Sequence, residues 1–439
     1  MWLFGRKKTA ATLENQSLQA SQDYWSIVKR QFAKNRLAIW SLRFFYGILF
    51  IAIFADFLAN EKPLYCKIEG QTHFPVFRQY AVDLGMAQWD EKFVLKRWTD
   101  HEYESVWFPL ISYSPTTIDK KNMTYTSPTA NQKLGKNMSK HYLGTDALGR
   151  DVAAGMIHGT RTAMLVGIVS MSIATLIGIL LGSMAGYFGD DRLKVSRIRI
   201  LLNILALFVA FFYAFIVRGY TMADGINKTG LAMEALKTLG IFAASFGVAN
   251  LLAIPLKKIA FLGKRVTIGL DLLIMRFIEV VNSVPVLILI LSIVAIIKTP
   301  SIMYVMIIIG AVSWTGIAMF IRSELLRVRR LEYIEAAQAF GFSEWRIILR
   351  HAIPNSLTSV LITIAFGVAS AILTESFLSF IGVGVPAEQV TWGSLLSDSR
   401  DKFDAWWLAV FPGMAIFFTV TIFNLIGEGL TDALDPRSK

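Results

Sequence analysis

The sequence predicts an all-α polytopic membrane protein with about eight transmembrane helices, and three observations predict it. Hydrophobic residues make up 54% of the 439 and charged residues 17%, whereas a soluble domain averages about 45–50% apolar and roughly 25% charged. The apolar residues are gathered into long blocks, as a bilayer crossing of about 20 residues requires. Lysine and arginine concentrate in alternate short connections between those blocks, the bias that keeps basic loops on the cytoplasmic side. An ordinary soluble protein, a disordered chain and a disulfide-stapled domain are all excluded. Cys66 is the one cysteine and has no partner for a disulfide or a CxxC motif. His73, His101, His141, His158 and His351 lack metal-ligand spacing, so no metal site and no cofactor is expected in this chain.

The elements follow in order. Residues 1–38 form a polar to amphipathic arm containing Arg6, Lys7, Lys8, Lys29, Arg30, Lys34 and Arg36, with an amphipathic helix around 24–39. The arm is too long and too polar for the head of a cleaved signal peptide, so the first crossing, 39–59, is expected to be an uncleaved anchor. The segment 60–161 is polar; its runs Thr72–Phe77 and Trp107–Tyr113 have strand-like content. It reads either as a small β-rich subdomain or as an irregular lobe on the membrane domain. The domain 162–430 holds the other crossings, at 162–188, 199–217, 238–256, 270–297, 301–321, 356–382 and 406–427, and 431–439 is a polar tail.

Three short connections set the orientation. They carry Arg192, Lys194, Arg197 and Arg199; Lys257, Lys258, Lys264 and Arg265; and Arg322, Arg327, Arg329, Arg330, Arg346 and Arg350. All fall on the side of the arm, so both termini are expected in the cytoplasm and 60–161 outside. The net charge of +12 is then explained by inward loops, without a nucleic acid partner.

Within the cytoplasmic loop 322–355, the stretch Leu331–Pro354 carries the most information. Glu332 to Phe340 are good helix formers, Gly341 suits the left-handed residue that ends a helix, and Ser343 suits an N-cap with Glu344 in the turn after it. Pro354 stands where the second helix should stop or bend. Two short helices on a glycine turn would read as a DNA-binding motif in isolation. Lodged between two crossings, they fit a groove in a partner protein or serve as a purely structural hairpin.

Here a family resemblance enters. Glu335, Ala336 and Ala337, then Gly341, then Ile353 and Pro354, resemble the EAA loop of ABC importer permeases. In that family the loop is the coupling helix that docks in a cleft of the ATP-binding subunit. His351 departs from the general pattern, although Arg350-His351 is similar to a pair frequent in the peptide branch. His141-Tyr-Leu-Gly144-Thr145-Asp146-Ala-Leu-Gly149-Arg150-Asp151 resembles the block preceding the second span in C-type peptide and nickel permeases. Leu373 to Gly384 with Trp392, and Trp406 to Arg437, are similar to that family's fifth span, outer loop, final span and tail. Asn60 to Leu64 resembles the oligopeptide and microcin C branch. The resemblance implies a B-type permease as heterodimer partner, two ATP-binding subunits that hold ATP and magnesium, and an extracytoplasmic substrate-binding protein.

The chain departs from the family at 189–265, where two extra crossings, or one re-entrant hairpin, are inserted before Asp271-Leu-Leu-Ile-Met275-Arg276. Charged residues inside crossings are functional candidates. Arg276 and Glu279, at i and i+3, suit an ion pair or gating contact. Glu375, flanked by Thr374 and Ser376, suits either a pathway lining or a tied-down packing contact. Gly178, Gly182 and Gly186 suggest close helix packing. No GxxxxGK[ST] loop or serine elbow is present, so ATP hydrolysis is expected from another chain. The expected function is a permease subunit of a bacterial ABC importer for peptides or related solutes; a secondary transporter or a non-transporting assembly subunit is the alternative.

Overall fold

The computed structural model describes residues 26–434 apart from 27, 191–193, 220, 222–230, 298–300 and 387–388. The basic head of the arm, Arg192, residues 222–230 of the insertion and the tail from Asp435 lie outside the described residues. Helix α1, Arg36–Ile53, starts where the Asn35 side chain accepts the Ala38 N–H at 3.1 Å. That cap interrupts the amphipathic helix expected over 24–39: a helical stretch at 28–32 ends before Asn35. A single turn, α2 (Ala55–Leu58), follows.

The lobe is mixed rather than β-rich. Strands β1 (Tyr65–Ile68) and β2 (Gln71–His73) precede helices α3 (Pro75–Asp83) and α4 (Glu91–Leu95), and β3 (Ser105–Trp107) completes a sheet of order β2-β1-β3. Glu69 and Gly70 both have positive φ, 51° and 76°, as a two-residue hairpin demands. The strand expected over 72–77 stops at His73 because Pro75 opens α3. The expected strand 107–113 is one strand end plus a lone bridge from Ile111 to Ala59. From Phe108 to Asp151 the chain is turns and bridges packed on the bundle, so both expectations for this segment are partly met.

Helix α5, Val152–Ser183, begins inside the stretch expected to be lobe, because Asp151 caps it, and widens into a π turn at Met184–Phe188. The insertion then leaves through β4 (Lys194–Ser196), rises in α6 (Arg197–Phe211, continued as a π turn to Val217) and returns in α7 (Leu231–Leu256) and the short α8 (Ala260–Gly263). Strand β5 (Arg265–Thr267) pairs with β4 and closes the neck. Both α6 and α7 are long enough to cross a bilayer, so the insertion is a helix pair and not one re-entrant hairpin. They pack chiefly on each other. Asn250 donates to Asn203 across the pair at 3.0 Å, and Arg218 and Lys237 both hold the buried Glu234 at 2.5 Å. Such polar pins fix the partner of an apolar helix in lipid.

The crossing expected at 270–297 is broken. Helices α9 (Leu270–Asn282) and α10 (Val286–Ile296) meet at 77° around Pro285, whose missing N–H cannot continue the ladder. Helices α11 (Ile302–Val312) and α12 (Trp314–Val328) meet at Ser313 and make one crossing. Then come α13 (Glu332–Ala339), α14 (Glu344–Ile347), α15 (Ile353–Phe380), α16 (Trp392–Asp398) and α17 (Trp406–Leu434). Among the described residues seven helices can each span a membrane, and the bent pair makes eight.

Helix α5 is the mast of the bundle, packed on α11, α12 and α15; α15 packs on α17, and α17 on α1. Lipid supplies no hydrophobic force between helices, so association rests on close van der Waals fit. The glycine steps provide it: a Cβ on Gly182 would stand 2.5 Å from the Ala318 oxygen, and one on Gly186 2.6 Å from the Arg322 oxygen.

Candidate functional site

The lobe caps one end of the bundle, and the 331–354 element sits at the other. Its helix α13 has two unlike faces. Ile334 and Ala337 are buried in the main core with Ile347, Ile348 and Ala352. Glu332, Tyr333, Glu335 and Ala336 face out. The glutamates lie in the first turn, where carboxylates suit the positive helix end. Gly341 has φ +76°, and Phe342 N–H reaches back to the Ala337 oxygen at 3.2 Å, so the helix ends on the expected left-handed glycine. Nothing lies within 4 Å of a Cβ built there, so the glycine serves backbone conformation alone.

Beyond the turn, Ser343 holds the N-cap position without a side-chain capping bond. Phe340, 77% exposed, Phe342 and Trp345 form an open aromatic surface beside the glutamates, with the Arg346 guanidinium 4.8 Å over the Phe342 ring. The element is tied to the bundle: Gln338 donates to the buried Tyr187 hydroxyl at 3.3 Å, and Asn355 donates to the Tyr333 hydroxyl at 2.7 Å. Of the stop or bend expected at Pro354, the stop does not occur. The helix widens into a π turn over Ile348–Ala352, and Ile353 and Pro354 begin α15, where a first-turn proline forfeits no hydrogen bond.

At the lobe end the 141–151 block is a knot. Gly144 has φ +79°, and a Cβ there would stand 2.9 Å from Trp407 Nε1, which donates to the Thr145 oxygen at 3.0 Å. Thr145 Oγ1 donates to the Asn122 oxygen at 2.9 Å. The Asp146 carboxylate accepts from the N–H groups of Leu148 and Arg150 and from Arg150 Nε, turning the chain around Gly149 at φ +82°. Asp151 accepts from Ala154 N–H with one oxygen and meets His141 Nδ1 at 2.7 Å with the other. His141 Nε2 lies 3.3 Å from Asp119, and the Tyr113 ring stacks on the imidazole at 4.2 Å. Burial works to raise the Asp119 carboxyl, but donation from Asn122 and Lys121 N–H, with His141 beside it, holds it below the usual range. A cavity of about 250 Å³ opens between this block and the 382–398 stretch, with Arg150, Asp398 and Ser379 in its wall.

Glu375 is 1% exposed, near the lobe end of α15. Ser379 Oγ donates to it at 2.5 Å and Ser376 stands at 3.5 Å, whereas Thr374 turns to the Ser370 oxygen. Of the two flanking hydroxyls the sequence offered, only Ser376 reaches the carboxylate, because the helix carries Thr374 to another face and brings Ser379 round. Arg276 and Glu279 do pair, at 2.6 Å, on the exposed side of α9. Among the described residues no group of three or more His, Cys, Asp or Glu side chains is placed to hold a metal ion.

Two family models match the chain. Residues 260–439 match the binding-protein-dependent transport system inner membrane component, and residues 23–76 match the N-terminal transmembrane domain of oligopeptide transport permease C. Between them they take in more than half of the sequence, including the 331–354 element. The chain belongs to the family of binding-protein-dependent ABC importer permeases, C type. The permease is 27% identical to a peptidoglycan transport system permease protein of Agrobacterium fabrum, over 93% of this chain and 92% of that one. It is 29% identical to an oligopeptide transport system permease protein of Haemophilus influenzae, over 76% of this chain and 79% of that one. A putative peptide transport permease of Brucella suis is 40% identical over 38% of this chain and 57% of its own.

Some residues that organise this permease escape a reading by spacing. Asp119 and Trp407 join the 141–151 knot from distant stretches, and Asp398 faces Arg150 at 3.5 Å from the 382–398 loop. Arg322 clasps Asp271, 51 positions away. Asp271 carried a signal as the first residue of the segment that resembles the family after the insertion, and Trp407 as part of the stretch that resembles its final span; Asp119 and Asp398 carried none.

Proposed function

We propose that this permease is the C-type subunit of an ATP-driven importer of peptides or related solutes in a bacterial inner membrane. The names of its relatives, which transport peptidoglycan, oligopeptides and peptides, support that solute class. The observation that carries the mechanism is the two-sidedness of α13, whose Ile334 and Ala337 are sunk in the bundle core while Glu335, Ala336 and the nearby Phe340 are presented outward. A surface of this kind takes a push from a partner and delivers it to α15 through the core that Ile334 and Ala337 share with Ile347, Ile348 and Ala352. The partner is one of two ATP-binding subunits, which hold ATP and magnesium; a B-type permease completes the membrane pathway. A substrate-binding protein delivers solute at the lobe end, which is extracytoplasmic, and both termini are cytoplasmic. The Arg276–Glu279 pair is a gating contact on the flank of the broken crossing, and Glu375 is a packing contact.

Charge reversal at Glu335 tests the coupling assignment. In proteoliposomes holding all subunits, Glu335→Lys is expected to insert and assemble but to lose ATP-driven uptake while ATP hydrolysis continues; unchanged uptake removes the assignment. Labelling of Lys120→Cys from outside only, and of Lys258→Cys from inside only, is expected from the topology. The break at Pro285 is the one observation that favours a secondary transporter, which uses discontinuous helices. Uptake driven by an ion gradient with no ATP present would decide for that reading.

A further inference from the structure

Helix α3 of the lobe buries Pro75 and Val76 yet leaves its largest apolar side chains exposed. Its half-buried Arg78 and Gln79 tie it to the next segment: Arg78 donates to the Gln88 oxygen at 2.8 Å and to Asp90 at 3.1 Å, and Gln79 accepts from Trp89 Nε1 at 2.9 Å. Its bulkiest side chains turn outward. Phe77 is 56% exposed, and the flanking Phe74 and Leu84 are 52% and 71% exposed. Positions 74, 77, 80 and 84 fall along one side of the helix and its ends. A contiguous apolar face of this sort marks a contact with protein or membrane.

Its surroundings identify the occupant. The Phe77 ring lies 5.4 Å from Phe57, which lies 5.9 Å from Phe54, which lies 4.6 Å from Phe50. Phe50 and Phe54, with Trp40 and Phe44, form the exposed aromatic stripe of α1, a membrane-length helix. Tyr80 donates to Asp56 at 2.6 Å, and Arg161 of α5 holds the same carboxylate at 2.8 Å while donating to the Ala52 oxygen at the end of α1. The exposed face of α3 is therefore fixed at the lobe-side end of α1, and through the half-buried Phe57 it continues the exposed aromatic stripe of that membrane-length helix.

We propose that α3 lies in the lobe-side interface of the bilayer, with Phe74, Phe77 and Leu84 among the upper acyl chains and Tyr80 at the headgroups. Interfacial helices bury one apolar face about 5–10 Å deep, and tyrosine collects at that level. The lobe then stands on two supports, the α1 crossing and a lipid-seated foot, which fixes its tilt over the bundle.

The test uses the assembled transporter in vesicles of phosphatidylethanolamine and phosphatidylglycerol containing a phospholipid with a photoreactive group near the acyl carbonyl. Adducts are expected within 74–86 as well as on α1, and none on β1 or β2; adducts on α1 without any in 74–86 overturn the proposal. Nitroxide labels at Phe77→Cys and Leu84→Cys provide a second readout. Native Cys66 does not compete, being buried, with its thiol pushed up to about 11 by that burial. Collisions with oxygen are expected to exceed those with a water-soluble nickel chelate several-fold relative to a label at Lys92→Cys. Preference for the chelate overturns the proposal, and so does shielding from both reagents that appears only when the other subunits are bound, which would make the face a protein interface.

Discussion

Arg322 clasps Asp271 with two nitrogens of its guanidinium, Nη2 reaching Oδ2 at 2.6 Å and Nε the other oxygen. The pair closes a ring of contacts at the end of the bundle opposite the lobe. Asp271 opens α9, its N–H bonds the Gly189 oxygen at 3.3 Å, and Asp190 accepts the Leu272 N–H at 3.1 Å. Arg322 stands on α12, ten residues before α13 begins, and its own backbone oxygen rests on Gly186 of the α5 extension. The start of the insertion, the broken crossing and the approach to α13 are thus joined at one bidentate pair, the strongest geometry available to these side chains.

Removing either partner leaves a partly buried charge without its counterpart, a loss of about 1.5–3 kcal/mol for a hydrogen bond to a charged group. Arg322→Ala and Asp271→Ala are each expected to lower ATP-driven uptake strongly while the protein still inserts. The double variant is expected to be no worse than either single one, since the second substitution removes an interaction already lost. Additive losses in that cycle would show that the two residues act independently.

Gly341 needs a left-handed backbone and has open space around it. A non-glycine residue there carries about 1–2 kcal/mol of backbone strain, and asparagine is the side chain that tolerates this conformation best. Gly341→Asn is therefore expected to keep most uptake and Gly341→Val to lose most of it, with insertion equal. Equal activity of the two variants would shift the importance of this position from backbone shape to side-chain size.

Periodicity and charge made most of this architecture legible. The crossings, the helix–glycine–helix element and the Arg276–Glu279 pair depend on local spacing, and local spacing is what a sequence displays. Two kinds of feature stayed hidden. One is a helix that ends or bends for a tertiary reason: α5 starts at Asp151 because its cap is part of a folded knot, and the long apolar block at 270–297 hides the break at Pro285. The other is polar pairing across long separations, as between His141 and Asp119 or Arg322 and Asp271. Their chemistry is visible in the residue types, but only the fold brings them together.

The His141 imidazole stands between two carboxylates that are 5% and 2% exposed, Asp119 and Asp151. Replacing it takes one partner from each, and a hydrogen bond to a charged group contributes about 1.5–3 kcal/mol. His141→Ala is expected to lower the unfolding temperature of the purified transporter and its yield. His158→Gln is the control, because His158 meets only the Ala59 backbone oxygen at 2.9 Å and glutamine can replace that donation. Equal effects of the two would deny the knot its stabilising role.

Asp398 gives the lobe end a pH dependence of definite sign. Burial pushes its carboxyl up to about 6, against the pull of Arg150 and with help from Asp146 and Asp401. A carboxyl raised in the folded state holds a proton that the unfolded chain has already released. Its contribution to stability is fully present below about pH 4, declines as pH rises through about 6, and is absent above. Asp398→Asn stays neutral throughout and keeps Nδ2 and Oδ1 in place of the carboxylate oxygens. The variant is therefore expected to melt above the wild type at about pH 7.5 and level with it below about pH 4, so that the difference between the two curves opens across the interval between the unfolded and folded pKa values. Parallel curves over the whole range would mean that Asp398 titrates in the folded transporter as it does in the unfolded chain, and that the cavity wall beside Arg150 does not hold its proton.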